Sequence, residues 1–313
     1  MKNKILITGG AGYIGSMLAT ELVRLNYKVT VIDKLKYNPD SLSHLFCFNN
    51  FKLINESVEN RRILKKEVNR NQIIIPLAAL VGAPLCAKNK KEAIRLNFDQ
   101  IRFIRKNVKG NQKVIYATTN SGYGVGEKNK YCDENSVLRP VSLYGVTKND
   151  AEKEIHKFRN TVSFRLATVF GYSYRMRTDL LINFLVREAI IKKKLKIFEP
   201  NFRRNFVHIK DVTSAILFSI KNFDKLKGEV YNLGLSTANL TKIDVAKKIK
   251  KYLPSTSIKI ITNSKDPDKR DYFVSNKKIE KKGFKASISL DSGIKELIEI
   301  YKINKFNDIK NNY

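Results

Sequence analysis

Short apolar runs alternate with longer amphipathic stretches along the first half of the chain. Runs such as Lys4-Ile-Leu-Ile-Thr8 are too short for core helices, which predicts buried strands, and the longer stretches between them predict helices. The predicted strands cover residues 4–8, 28–32, 51–54, 72–77, 113–117 and 161–166, and the predicted helices cover residues 13–25, 61–68, 90–107 and 142–159. Because strands separated by helices pair in parallel, this pattern indicates an α/β fold with a doubly wound parallel sheet.

A glycine-rich turn follows the first predicted strand at once. Gly9, Gly12 and Gly15 form a G-x-x-G-x-x-G pattern, and the helix predicted at 13–25 begins inside it. Glycine at these places permits the tight turn and lets the backbone approach a pyrophosphate. The N-terminal N–H groups of the helix then face the phosphates. The strand, the glycines and the helix together indicate a Rossmann-type unit that binds a dinucleotide.

Asp33 follows the second predicted strand, where an acidic residue binds the adenosine ribose of a dinucleotide. A carboxylate there accepts hydrogen bonds from the ribose hydroxyls and repels a 2′-phosphate, which favours NAD over NADP. Lys34 and Lys36 weaken this preference without reversing it, because neither is an arginine that clamps the 2′-phosphate. We therefore expect NAD as the cofactor.

Tyr144 and Lys148 lie four residues apart in the helix predicted at 142–159, so their side chains share one face. A phenol with a pKa near 10 is a weak base at neutral pH. A neighbouring ammonium group and the positive ring of an oxidised nicotinamide would both favour the phenolate. Tyr144 is therefore a candidate general base that takes a proton from an alcohol while hydride leaves the same carbon.

The net charge of +31 raises the question of a nucleic-acid partner. The lysines, however, are spread along the whole chain, and the longest basic run is Lys192-Lys-Lys194. The sequence contains no helix-turn-helix, zinc-finger or aromatic nucleic-acid motif. We therefore expect no nucleic-acid partner, and we expect the charge to attract an anionic small substrate.

The apolar runs and the cysteines bear on location and metal binding. No apolar run approaches the roughly 20 residues that span a bilayer, and the first run is too short for a signal peptide. We therefore expect a cytoplasmic protein without stable membrane insertion. Cys47, Cys86 and Cys132 are widely spaced, and the three histidines show no metal-ligand spacing, so neither a disulfide nor a metal site is expected.

With these residues in view, the chain resembles the extended short-chain dehydrogenase/reductases that act on nucleotide sugars, the NAD-dependent epimerase/dehydratase family. The likeness covers nearly the whole length. Thr8-Gly-Gly-Ala-Gly-Tyr-Ile-Gly15 is similar to the cofactor turn of the family, and Tyr144 with Lys148 matches its catalytic pair. Arg204-Asn-Phe-Val-His-Ile-Lys-Asp211 resembles the R-x-F-V-H-V-x-D segment, whose arginine contacts the diphosphate of the sugar nucleotide.

The resemblance implies three sets of site residues. The implied catalytic residues are Thr119, which hydrogen-bonds the reacting hydroxyl, Tyr144 and Lys148. The implied cofactor-binding residues are Gly9, Gly12, Tyr13, Ile14, Gly15, Asp33, Lys34, Val58, Leu77, Ala78, Ala79, Asn97, Thr118, Tyr144, Lys148 and Ala167. The implied substrate-binding residues are Thr119, Arg175, Arg177, Asn183, Arg204 and Arg270.

The residues after Thr119 depart from one branch of the family. In the 4,6-dehydratases, acidic residues follow the catalytic threonine and eliminate water across C5–C6. Asn120 and Ser121 stand there in this chain, and neither serves as an acid or a base. The resemblance therefore implies oxidation of the C4 hydroxyl to a ketone without dehydration.

The implied substrate is a nucleotide-diphosphate sugar, linked to GDP or UDP. Within the family, the Arg175-Met-Arg177 and Thr119-Asn-Ser121 stretches are most similar to the GDP-manno-heptose 4-dehydrogenases of capsular polysaccharide biosynthesis. A C4-epimerase uses the same three catalytic residues and stays an open alternative. A non-catalytic dinucleotide-binding sensor is a third hypothesis, against which the intact Tyr144 and Lys148 argue.

The regular alternation weakens after residue 171, which suggests a division of the chain. We expect residues 1–171 to form the NAD-binding Rossmann domain, with a returning segment at 205–234. Residues 172–204 and 235–313 would form a smaller, interleaved C-terminal α/β domain that binds the nucleotide sugar. The helices predicted at 90–107 and 142–159 are those that pair across a twofold axis in the family, which implies a homodimer or a homotetramer.

Overall fold

The computed structural model describes residues 3–127, 130–262, 270–304, 306 and 311. Its strands are β1 (Lys4–Thr8), β2 (Lys28–Asp33), β3 (Phe51–Asn55), β4 (Ile73–Pro76), β5 (Lys113–Thr119), β6 (Tyr131–Cys132), β7 (Thr161–Leu166), β8 (Thr168–Phe170), β9 (Lys194–Phe198), β10 (Arg203–His208), β11 (Val230–Leu233), β12 (Asn239–Thr241), β13 (Ser257–Ile261) and β14 (Phe273–Val274). Its helices are α1 (Tyr13–Arg24), α2 (Arg61–Arg70), α3 (Ala83–Lys88), α4 (Lys90–Ile94), α5 (Gln100–Asn107), α6 (Leu143–Ile155), α7 (Leu181–Lys192), α8 (Ile209–Lys221), α9 (Phe223–Leu226), α10 (Lys242–Tyr252), α11 (Lys277–Lys281) and α12 (Leu290–Ile303).

Seven parallel strands of the described chain form the central sheet, in the order β11-β7-β5-β4-β1-β2-β3. The inner strands β4 and β7 are buried along their whole length. Strands inside a parallel sheet are buried in this way because helices cover both of its faces. The strand order reverses between β1 and β4, and ligands bind at such a switch point, beyond the carboxyl ends of the strands. The predicted doubly wound parallel sheet is confirmed.

Alternate residues of β1 divide the core between the two faces of the sheet. Ile5 and Ile7 belong to the buried cluster that contains Leu18 of α1. Leu6 belongs to a second buried cluster, which contains Leu64 of α2. Successive side chains of a strand point to opposite faces, and burying one of this size contributes about 1.5–3 kcal/mol. These contacts hold α1 and α2 on opposite sides of the sheet.

The helix predicted at residues 90–107 forms as α4, a π-helical segment at Arg95–Asp99, and α5. The π-helical segment contains Asn97, whose side-chain amide bonds the backbone of Leu80. Short π segments inside helices are frequent at functional sites. The sequence pattern predicts the helix but not this segment, because one widened turn barely changes the spacing of the apolar residues.

Three smaller sheets lie outside the central one: β8 with β10 and β12, β9 with β13, and β6 with β14. Strand β11 lies at the edge of the central sheet beside β7, within the segment 205–234 that was expected to return. The bounds of the two domains stay a prediction. Strand β10 also belongs to the expected returning segment, but it pairs with β8 and β12 instead. The reason is that the chain leaves the central sheet after Leu166 and continues as β8. Among the described helices, none has the length and hydropathy needed to cross a bilayer.

Candidate active site

A cleft of about 570 Å³ opens at the carboxyl ends of the central strands. Its size is within the range of about 300–1,000 Å³ that is usual for small-molecule sites. Most of the residues predicted for the site line this cleft. They are Gly9, Gly12, Tyr13, Ile14, Gly15, Asp33, Lys34, Val58, Leu77, Ala78, Ala79, Thr118, Thr119, Tyr144, Lys148, Ala167, Arg175, Arg177, Arg204 and Arg270.

The glycine-rich turn forms a cradle that side chains would fill. Gly9 has a φ of +73°, and a Cβ atom there would lie 2.5 Å from the backbone nitrogen of Ala78. A Cβ atom on Gly15 would lie 2.3 Å from the carbonyl oxygen of Gly9. Helix α1 begins at Tyr13, and no side chain caps its N-terminus. Its first N–H groups therefore face the cleft as a site for an anion, which fits a pyrophosphate.

The carboxylate of Asp33 is held at the edge of the cleft by two backbone hydrogen bonds. Oδ2 accepts from the N–H of Ala11 at 3.0 Å, and Oδ1 accepts from the N–H of Leu35 at 2.8 Å. Burial raises the pKa of Asp33, although these two hydrogen bonds lower it in part. Each carboxylate oxygen has a second lone pair, so the fixed carboxylate can still accept hydrogen bonds from ribose hydroxyls.

Asn97 and Asn183 support the walls of the cleft rather than line it. The amide of Asn97 accepts from the N–H of Leu80 at 2.8 Å and donates to the oxygen of Leu80 at 3.0 Å and to Thr147 Oγ1 at 3.2 Å. The amide of Asn183 bonds the backbone of Gly171 at 3.0 and 3.2 Å. Both side chains are buried. Neither side chain lines the cleft, because hydrogen bonds to the surrounding backbone take up both amides. Contact of Asn97 with the cofactor and of Asn183 with the substrate stays a prediction.

The three predicted catalytic side chains meet at one wall of the cleft. Thr119 ends β5, and Tyr144 and Lys148 lie on the first turns of α6, whose N-terminus Ser142 caps through Oγ. The hydroxyl of Thr119 lies near enough to the phenol of Tyr144 to lower its pKa. The ammonium nitrogen of Lys148 lies 4.2 Å from the ring centroid of Tyr116. The helix thus places the pair as the sequence spacing predicts.

The pKa of Tyr144 is raised, whereas the sequence predicted a phenol whose ionised form is favoured. Burial raises it to about 12, and only part of this effect is offset by the charges of Arg270 and Arg177 and by the nearby hydroxyl of Thr119. Burial also lowers the pKa of Lys148 to about 7. Arg270 and Arg177 are thus the cations that lower the pKa of the phenol here, and desolvation outweighs them. The effect of Lys148 and of the nicotinamide ring on Tyr144 stays a prediction.

Arg270 lies beside the catalytic wall. Its Nη1 donates a hydrogen bond to Ser121 Oγ, and Ser121 Oγ lies 2.9 Å from Thr119 Oγ1. Arg204 is almost fully buried, and its guanidinium lies 5.9 Å from the ring centroid of Tyr272. Ser121 therefore links Arg270, which is predicted to bind the substrate, to the predicted catalytic residue Thr119.

An ion pair that the sequence did not predict joins the segments that carry Arg204 and Arg270, two predicted substrate-binding residues. The guanidinium of Arg203 donates to Asp271 through Nε at 2.8 Å and through Nη2 at 3.0 Å. Arg203 precedes Arg204, and Asp271 follows Arg270. The ion pair therefore fixes the backbone positions of these two predicted substrate-binding arginines. In the sequence, Arg203 and Asp271 are marked only by being adjacent to Arg204 and Arg270. Their pairing could not be predicted because it depends on tertiary structure.

Cys86 and Thr118 are buried beside the same wall. Burial raises the pKa of Cys86 to about 11, and its Sγ donates to the oxygen of Leu80 at 3.2 Å. Within the described residues, the buried Oγ1 of Thr118 has no hydrogen-bond partner, although Thr118 lines the cleft. An unpartnered buried hydroxyl in this position fits a ligand that supplies the missing bond. The described part of the chain holds no group of three or more histidine, cysteine, aspartate or glutamate side chains arranged for a metal.

Comparison with known proteins gives one family. The family model described as the NAD dependent epimerase/dehydratase family matches residues 5–234. Among relatives, the uncharacterized UDP-glucose epimerase YtcB of Bacillus subtilis is 31% identical over 257 residues, which cover 74% of this chain and 76% of that protein.

Solved structures extend the likeness over nearly the whole chain. The UDP-glucuronic acid 4-epimerase of Bacillus cereus, in complex with UDP-glucuronic acid and NAD, is 25% identical, with a TM-score of 0.84 over 96% of this chain and 99% of that one. The dTDP-glucose 4,6-dehydratase of Bacillus anthracis, in complex with NAD, has the same fold, with a TM-score of 0.83 and 23% identity over 96% of this chain and 97% of that one.

Proposed function

Because the chain belongs to the NAD dependent epimerase/dehydratase family, we propose that it oxidises the C4 hydroxyl of a nucleotide-diphosphate sugar to a ketone. The sugar nucleotide we propose to test first is GDP-manno-heptose, which the sequence resemblance favours. The observation that carries the proposal is the position of Thr119, Tyr144 and Lys148. They form a single wall of the cleft that the glycine-rich turn and the arginines also line.

Tyr144 is the proposed base. Thr119 lies beside the phenol and would orient the sugar hydroxyl toward it. When bound, NAD supplies an acceptor for the hydride that leaves C4 and a positive ring that favours the phenolate. Arg270 and Arg177 already lower the pKa of the phenol, so the remaining barrier to deprotonation is mainly the burial of Tyr144.

Lys148 is the proposed partner of the base. Its almost complete burial and its pKa of about 7 allow it to exchange a proton near neutral pH. A negative charge on Tyr144 would stabilise the protonated form of Lys148. Tyr144 and Lys148 would therefore share one proton between them. The pair could take up the proton that leaves the sugar hydroxyl and release it later.

Elimination of water is disfavoured by the groups beside Thr119. Asn120 is a buried amide and Ser121 is a hydroxyl bonded to Thr119 and Arg270. Neither group ionises near neutral pH. A dehydratase needs an acid and a base for C5–C6, so the proposed reaction ends at the 4-keto sugar.

Arg177, Arg204 and Arg270 are the proposed ligands of the diphosphate that joins the nucleoside to the sugar. All three line the cleft, and a guanidinium group binds phosphate oxygens with two parallel hydrogen bonds. Arg177 is oriented by an ion pair with Asp179, which is also buried. The proposed nucleotide is GDP or UDP, so its base is guanine or uracil.

A C4-epimerase is the second candidate function. The likeness to YtcB, described as a UDP-glucose epimerase, favours it, and the same wall of Thr119, Tyr144 and Lys148 would serve. An epimerase returns the hydride to the opposite face of C4 after the keto sugar has turned. A dehydrogenase releases the keto sugar.

The test is a panel of GDP- and UDP-linked sugars incubated with the purified protein and NAD. Absorbance of the reduced nicotinamide and a product lighter by two hydrogen atoms support the dehydrogenase. An unchanged product mass with inverted C4 stereochemistry supports the epimerase. Loss of water from the product contradicts the proposal, and so does a complete lack of turnover across the panel.

We further propose that the protein is a homodimer or a homotetramer. Helices α5 and α6 are tied together by the ion pair of Arg105 and Glu154, whose closest atoms are 2.6 Å apart. Partly exposed apolar side chains, Ile94 and Val146, lie on this group of helices. Light scattering coupled to size exclusion would measure the mass, and a monomer at micromolar concentration would contradict the proposal.

A further inference from the structure

Arg175 was expected to bind the nucleotide sugar, but its backbone is attached to the cofactor turn. Its N–H donates to Ser16 Oγ at 3.3 Å, and Ser16 lies on the first turns of α1. Ser16 Oγ also lies 3.0 Å from Ser173 Oγ, which donates to the carbonyl oxygen of Tyr13 at 2.7 Å. The loop that carries Arg175 therefore packs on the helix end that fits a pyrophosphate.

The side chain of Arg175 extends from there toward the end of β2. Its guanidinium carbon lies 4.5 Å from the ring centroid of Tyr37, a residue of the loop that follows Asp33. The charges of Arg175 and Asp33 act on each other: each favours the ionised form of the other. Arg175 is 2% exposed and lines the cleft.

Arg177, two residues further on, faces different groups. Its guanidinium donates to Asp179 through Nε at 3.1 Å and also through Nη2. Its charge acts on the phenol of Tyr144. The two arginines of the Arg175-Met-Arg177 stretch therefore serve different parts of the cleft, one near Asp33 and the other near the catalytic wall.

From this placement we infer that Arg175 binds the adenosine diphosphate half of NAD, between the helix N-terminus and Asp33, and not the nucleotide sugar. The inference rests on the proposed function only in taking NAD as the cofactor. Asp33 accepts hydrogen bonds and Arg175 donates them, so the two side chains suit the ribose hydroxyls and the adjoining phosphate respectively. Arg175 comes from segment 172–204, which was expected to bind substrate. It thus brings a cation from that segment to the cofactor.

Burial makes the charge of Arg175 sensitive to a bound anion. Desolvation and the neighbouring charge of Arg177 lower the pKa of Arg175 to about 10, although Asp179, Tyr37 and Asp33 raise it in part. A phosphate beside this group would add negative charge in a place from which water is largely excluded, where charged hydrogen bonds are strong. Loss of the guanidinium should therefore weaken the binding of ADP-ribose more than the binding of GDP or UDP, which contain no adenosine.

The experiment compares Arg175→Gln with the matched variant Arg177→Gln in nucleotide-free protein. Calorimetric titration gives the Kd of ADP-ribose and, separately, the Kd of GDP and of UDP. Arg175→Gln should weaken ADP-ribose by about 10–100-fold, as expected for a charged hydrogen bond, and change GDP and UDP by less than about twofold. Arg177→Gln should show the opposite selectivity. Arg175→Lys, which keeps the charge but loses the planar fork, should lie between Arg175→Gln and the wild type.

Each outcome decides between the two roles. Loss of GDP or UDP binding with unchanged ADP-ribose binding would overturn the inference, and so would equal losses for all ligands or no loss for any. The comparison is made within each variant, so a partly unfolded preparation lowers the stoichiometry but not the ratio of the Kd values. If the wild type binds ADP-ribose but turns over no nucleotide sugar, the proposed function fails while the role of Arg175 is still decided.

Discussion

The guanidinium of Arg165 binds the carboxylate of Glu152, with Nη2 donating to Oε1 at 2.6 Å and Nε donating at 3.1 Å. Both side chains are buried. Glu152 lies one turn after Lys148 on α6, and Arg165 lies on β7 of the central sheet. The pair therefore fixes the helix that carries Tyr144 and Lys148 against the sheet.

Breaking this pair should destabilise the protein strongly. Glu152→Gln or Arg165→Met leaves one buried charge without its partner, so we expect each to lower the free energy of unfolding by about 3–5 kcal/mol. The double variant Glu152→Gln/Arg165→Met should lose less than the sum of the two, because it leaves no unpaired charge. Denaturant titration measures all three. Strictly additive losses would show that the pair contributes nothing to the stability.

Removing the hydroxyl of Tyr144 should abolish hydride transfer. Tyr144→Phe keeps the ring and its packing but has no group that takes the proton, so we expect turnover to fall by at least about a hundredfold. The Kd of NAD should change little. Tyr131→Phe, at an exposed tyrosine, is the matched control and should keep full activity. Near-normal turnover by Tyr144→Phe would refute its assignment as the base.

Ser121 should matter through its hydroxyl. Ser121→Ala removes the group that links Thr119 to Arg270, so the threonine loses a partner that limits its rotation. We expect kcat to fall by about tenfold, on the order of one hydrogen bond, with the Kd of NAD unchanged. Ser121→Thr retains a hydroxyl and should recover much of kcat. Equal losses in the two variants would mean that packing, and not the hydrogen bond, is responsible.

Asp33 should control the choice between NAD and NADP. Asp33→Asn removes the negative charge that repels a 2′-phosphate, while the cationic Arg175 and Lys34 remain beside it. We expect the affinity for NAD to fall and the ratio of NADP to NAD affinity to rise by about tenfold or more. Fluorescence titration with the two reduced cofactors measures this ratio. An unchanged ratio would place the 2′-position of the ribose away from Asp33.

Lys148 should make the stability depend on pH. Its pKa of about 7 in the folded protein lies below the ordinary value of about 10.4. Between these values the unfolded chain binds more protons, so the free energy of unfolding rises with pH, by at most about 1.4 kcal/mol per pH unit. Lys148→Met should remove this rise.

The comparison requires denaturant titrations at several pH values from 7 to 9.5. The stability of the wild type relative to Lys148→Met should increase over that interval. Lys153→Met, at an exposed lysine on the same helix, should keep the slope of the wild type. A slope that is the same in Lys148→Met and the wild type would contradict the lowered pKa.

Much of the fold and part of the cleft follow from patterns within short segments. The strands predicted at 4–8 and 161–166 form with those bounds, because a buried parallel strand needs only a short apolar run. Gly9 and Asp33 lie at the cleft because a single strand–helix–strand unit brings the ends of its two strands together. Tyr144 and Lys148 share a wall because the spacing of a helix requires it.

Contacts between segments that are distant in the sequence could be identified only from the tertiary structure. Arg203 and Asp271 are 68 residues apart, and Ser121 and Arg270 are 149 residues apart. Arg175 resembles a substrate ligand in the sequence, yet its loop packs on α1 near Asp33. The high pKa of Tyr144 was likewise hidden, because it depends on how much water the surrounding loops exclude. Spacing along the chain determines which side chains share a helix or a strand. The burial of a side chain and the charges around it depend on which helices, strands and loops pack together in the folded protein.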